Sequence, residues 1–112
     1  MAALPPATRP TVLHEDARPG YRRAEWAAVS ETGALTIEGQ SVVAGGDPPE
    51  YEWVFRLRPE EVPKLVTALG GTPGDDVLPL LVEHCRAHHP PDFVGLLDSS
   101  EVTYSFWSRL GS

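Results

Sequence analysis

Tyr51–Glu52–Trp53–Val54–Phe55–Arg56–Leu57, running directly into RPEEVPKLVTALGG (Arg58 to Gly71), decides the fold class. In the first part Tyr51, Trp53, Phe55 and Leu57 alternate with Glu52, Val54 and Arg56, the period of two of a half-buried strand. At Pro59 the period changes. Val62, Leu65, Val66 and Leu69 recur at i, i+3, i+4 and i+7, an amphipathic helical stripe. Pro59 and Pro63 fit such a helix only near its start, where amide hydrogens have no helical partner. Glu60 and Glu61 suit the same end, and Gly70–Gly71 provide the stop. A strand and a helix in succession, each with one apolar face, predict a sheet layer against a helix layer.

Toward the N-terminus, RRAEWAAVS (Arg22 to Ser30) reads as a strand with Ala24, Trp26 and Ala28 on one face. Glu31–Thr32–Gly33 supplies a tight turn. ALTIEGQSVV (Ala34 to Val43) follows, with Leu35 and Ile37 inward and Thr36, Glu38 and Gln40 outward. These strands and the aromatic one form an antiparallel meander. Residues 1–20 carry Pro5, Pro6, Pro10 and Pro19 without apolar periodicity, so they are expected to be a flexible or extended arm, dispensable for folding. The alternative is that Thr11 to His14 adds to a sheet edge. The folded domain is accordingly placed at residues 21–112.

Toward the C-terminus, a second helix is predicted from about Asp75 to His88, capped by Asp75 or Asp76, with Pro79 in its first turn. His89–Pro90–Pro91 breaks it, Asp92 caps a shorter apolar turn ending at Leu97, and VTYSFW (Val102 to Trp107) reads as a last strand. The predicted class is α+β: an antiparallel sheet of about four strands in the order β-β-β-α-α-β, with the helices packed on one face.

The chain has 112 residues and a net charge of −7. An acidic surface repels phosphate backbones and anionic headgroups, which disfavours nucleic acid and membranes as partners. Cys85 is the single cysteine, so no intramolecular disulfide is possible and a reducing compartment fits. No apolar run approaches the roughly 20 residues of a membrane span, and MAALPPATRP lacks the pattern of a secretory signal. The expected location is the cytoplasm.

Several side chains invite chemistry. His84 and His88 stand four apart on one helix face, the spacing of two metal ligands, with Cys85, His89 or Asp92 as a conceivable third. Paired cysteines and a HExxH pattern are both absent, so the expectation is no metal and no cofactor, with His84 and His88 the weak catalytic candidates. Cys85 falls on the apolar stripe near a helix C-terminus, which favours a buried thiol over a nucleophile. The pairs Glu60–Glu61 and Asp75–Asp76 sit at helix starts, where capping explains them.

Arg56 and Arg58 point away from the aromatic face and, with Arg22 and Arg23, form a candidate basic cluster on the open face of the sheet. Cross-strand pairing with Glu25, Glu50 and Glu52 is the reading preferred over such a cluster. Trp26, Trp53 and Trp107 are more indoles than one small core needs, and Trp107 beside Arg109 is the one expected at a groove or dimer contact. Arg56, Arg58, Trp107 and Arg109 are therefore the candidate binding residues.

EYEWVFRLRPEEVPKLVTALGG and the ending YSFWSRLGS resemble segments of small uncharacterised proteins of actinomycetes. That resemblance implies neither a site nor a reaction. In size and acidity the chain is also similar to immunity proteins that neutralise partner toxins. The sequence thus supports a small acidic module binding another protein or peptide, an immunity-type inhibitor being the sharpest form. The alternative is a small cofactor-free enzyme, of peptide-tailoring or isomerase type, with a pocket at a homodimer interface.

Overall fold

The computed structural model describes residues 10–46, 49–88 and 90–111. It is α+β, as expected, with five strands in place of about four. β1 (Thr11–Arg18), β2 (Tyr21–Val29), β3 (Leu35–Val43) and β4 (Glu50–Leu57) form an antiparallel meander. A 3-10 turn at Pro59–Glu61 leads into α1 (Val62–Ala68), then α2 (Val77–Ala87) and α3 (Phe93–Ser99). β5 (Tyr104–Gly111) returns antiparallel to β4, so β1 and β5 are the two edges of the sheet.

Local chemistry accounts for the punctuation. Gly33 takes φ +91° and its amide donates to the Ser30 carbonyl at 2.9 Å, closing the β2–β3 turn. Asp76 caps α2 through the Leu78 amide at 3.0 Å. Asp75 instead accepts from Thr72 N at 2.8 Å and shapes the preceding turn. Asp92 caps α3 through the Gly95 amide.

All three helices pack on one face of the sheet. The row Ala27, Ile37, Phe55, Phe106 runs across four strands on that face. Its first three members join Leu65, Val66, Leu81 and Phe93 in one buried cluster, with Tyr51 packed at its margin. Trp53 lies flat over Gly39 of β3, where any Cβ would collide with the indole. A glycine inside a strand is explained there by close approach of a neighbour.

The predicted arm needs correction. Its first nine residues lie outside the described ones, but Thr11–Arg18 is a strand paired with β2 from Thr11↔Ala27 to Arg18↔Tyr21. The domain therefore begins no later than Thr11. The register slips between Val12 and His14, so consecutive residues Leu13 and His14 both face inward. That bulge removes the alternation by which a strand is recognised. No helix among the described residues is long and apolar enough to cross a membrane.

Candidate functional site

With the helices on one side, the other face of the sheet is uncovered. Val12, Trp26, Glu38, Val54 and Trp107 stand side by side across all five strands of that face. Ala24, Trp26 and Ala28 share a face as predicted, and it is this open one. The Trp26 indole donates from Nε1 to Glu38 Oε2 at 2.8 Å, which holds the ring against the sheet. Three strand spacings set the backbones of Trp26 and Trp107 about 14 Å apart. Between them lies a concavity of about 590 Å³, lined chiefly by Trp26, Glu38, Gln40, Val54, Arg56 and Trp107.

Trp107 is 51% exposed although it is one of the largest apolar side chains in the chain. Arg109 follows on the same face, its Nη2 3.6 Å from Glu52 Oε1. Arg56 is exposed in the row Ala28, Thr36, Arg56, Ser105. Arg58 is also exposed, just past the end of β4. The Glu61 carboxyl is held below its usual range, first by the Thr103 amide at 2.8 Å and then by Lys64, with Arg58 contributing less.

The candidate cluster of four arginines does not form. Arg22 is opposite Val42 at one end of the sheet and Arg56 opposite Thr36 at the other, about 20 Å apart along the strands. Arg23 faces the helices. The open face thus has charges of both signs around two indoles; of the expected pairings, Glu25 is met by Arg23 of its own strand, whereas Glu52 is met by Arg109 and not by one of the four arginines.

Glu25 belongs to a group that the sequence reading missed. It is fully buried, with Oε1 3.1 Å from Arg23 Nε and 3.5 Å from His14 Nδ1. The Arg23 guanidinium lies over the Trp53 ring at 5.1 Å, a cation–π contact. Glu25 also lines a cleft of about 290 Å³ with Tyr21, Ser41, Tyr51 and Asp92. The available signal was the i, i+2 spacing of Arg23, Glu25 and Ala27. Hydrophobicity argues for the opposite strand phase, because it puts Trp26 inside and the two charges outside.

His84 and His88 stack face to face, with ring centroids 4.3 Å apart and His88 Nδ1 3.1 Å from the His84 carbonyl. Burial, and then the neighbouring His88, lower the pKa of His84. Among the described residues no group of three His, Cys, Asp or Glu is placed to hold a metal ion. The conceivable ligand His89 lies outside them.

Cys85 is buried beneath β1 and β2, its pKa pushed up to about 11 by burial and then by the Glu25 carboxylate. A thiol-specific disulfide reagent is therefore expected to leave it unmodified in the native protein at neutral pH and to label it promptly in denaturant. Fast native labelling would contradict that burial.

Comparison with known proteins gives no match to a family model, a curated protein or a solved structure.

Proposed function

We propose that this chain is a binding module for another protein or a peptide, docked on the open face of its sheet. The observation that carries the reading is the pair of indoles, Trp26 and Trp107, flanking an uncovered concavity that also presents Val54 and Arg56. The core is complete on the helical face, so folding alone gives no reason for Trp107 to be so exposed. Tryptophan and arginine are the residues that most often anchor protein interfaces.

The net charge of −7 steers association toward a basic protein and away from nucleic acid or anionic membrane. An immunity-type inhibitor acting in the cytoplasm, on a cationic partner, is the sharpest form of this reading. The cofactor-free enzyme has one observation in its favour, the buried Glu25 carboxylate lining the smaller cleft on the opposite side. His84 and His88 line neither of these two concavities.

The test compares the natural chain with a Trp107→Ala/Arg56→Ala variant in recovery from source cells, followed by calorimetry with the purified partner. A protein bound stoichiometrically by the natural chain should bind the variant at least about thirtyfold more weakly, the loss of one interface anchor. The melting temperatures should match. Undiminished binding to the variant, or no stoichiometric partner at all, would sink the reading.

A further inference from the structure

β5 is an edge strand of eight residues, and its sequence YSFWSRLG contains neither a carboxylate nor the lysine or proline that commonly blunts an exposed edge. Phe106 is 50% exposed, Trp107 51% and Leu110 65%. Phe106 and Leu110 are on the helical face, opposite Phe55 and Tyr51, whereas Trp107 is on the open face opposite Val54. Apolar surface thus flanks the free edge on both sides of the sheet. A helix or loop laid on one face covers half of it. Only a strand added to the edge covers both halves while also satisfying the outward backbone groups.

We infer that the added strand is β5 of a second copy, giving a two-fold dimer with one continuous ten-stranded sheet.

The side chains of β5 are complementary to themselves in one antiparallel register, with Ser108 on the axis. Phe106 then faces Leu110 of the second copy on the helical side, and Trp107 faces Arg109 of the second copy on the open side. Each exposed apolar residue meets an apolar or cation–π partner. No like charges oppose each other, and the seam contains no carboxylate although the chain as a whole is strongly acidic.

A two-fold axis perpendicular to the sheet keeps both helix layers on one side. It also sets the two open concavities next to each other, with a guanidinium from one copy over the indole at the rim of the other. Val94 of α3, 48% exposed, lines the same cleft as Phe106 and extends the apolar surface at the seam.

Sedimentation over a concentration series is expected to show a reversible monomer–dimer equilibrium. Leu110→Lys, at the most exposed of the three positions, should weaken the dimer by about a hundredfold with the circular dichroism spectrum unchanged. The register is tested separately by Ser108→Cys. Copper phenanthroline in air should oxidise the paired thiols to one disulfide across the axis, giving a covalent dimer. Ser105→Cys, placed away from the axis, should form no covalent dimer under the same treatment.

A protein that is monomeric at every concentration overturns the inference. So does a dimer that is indifferent to Leu110→Lys and crosslinks no better through residue 108 than through residue 105. Leu110 is outside the open face, so the same variant retains partner binding there, and failure of the dimer leaves the proposed function standing.

Discussion

Deleting residues 1–20 is expected to lower the melting temperature by about 15 °C or more, the shift produced by a loss near 4 kcal/mol in a domain of this size. β1 is hydrogen-bonded along β2 and places Leu13 in the core cluster. α2 rests on β1 and β2, so removal of β1 also exposes apolar surface of α2 around buried Leu81 and Cys85. Exposing Leu13 and part of that helix forfeits about 1.5–3 kcal/mol for each large side chain involved. The ladder to β2 is lost in addition, and Glu25 loses the imidazole beside it. Thermal unfolding followed by circular dichroism decides the matter. An unchanged midpoint would return the segment to the dispensable arm that its prolines suggest.

Phe55→Ala is expected to destabilise the domain by about 3–5 kcal/mol, as buried phenylalanine truncations do. Phe55 is 3% exposed, with ring centroids 4.9 Å from Phe106, 5.9 Å from Tyr104 and 6.2 Å from Phe93. It is therefore the aromatic that joins β4 to β5 and to α3. The residues around it are held by separate backbone elements, so they cannot collapse fully into the space left behind. Urea unfolding should move to a lower midpoint with an unchanged slope. A loss below about 1 kcal/mol, typical of a surface site, would mean that the inward face of β4 is the other one.

The same residue illustrates what was legible beforehand. The inward phase of β4 followed from Tyr51 to Leu57 because every odd position is apolar and two of the three even ones are charged. The helical stripe from Val62 to Leu69, the carboxylates at its start and the cap at Asp92 were equally readable. Each rests on contacts within a few residues of chain. The outward side of β4 follows from the same alternation, which puts Arg56 opposite the aromatic face, but that Trp107 and Arg109 share this face is set by the pairing of β5 with β4. A cluster of Arg22 and Arg23 with Arg56 and Arg58 fails on the same rule, because a strand sends neighbours such as Arg22 and Arg23 to opposite faces.

By itself the sequence determined the class of fold, the order of its elements from β2 onward and the inward faces of β3 and β4. Periodicity and turn chemistry act locally, and those features depend on nothing else. Tertiary structure alone decided three further things. β1 is a strand because β2 offers it an edge, and its bulge at Leu13 erases the alternation that would have marked it. Arg23 and Glu25 lie inward because Arg23, His14 and the Trp53 ring gather around the carboxylate, and no local rule anticipates a charge that is matched only after folding. The open concavity exists because five strands align Trp26 with Trp107 across the sheet while every helix crosses to the other side.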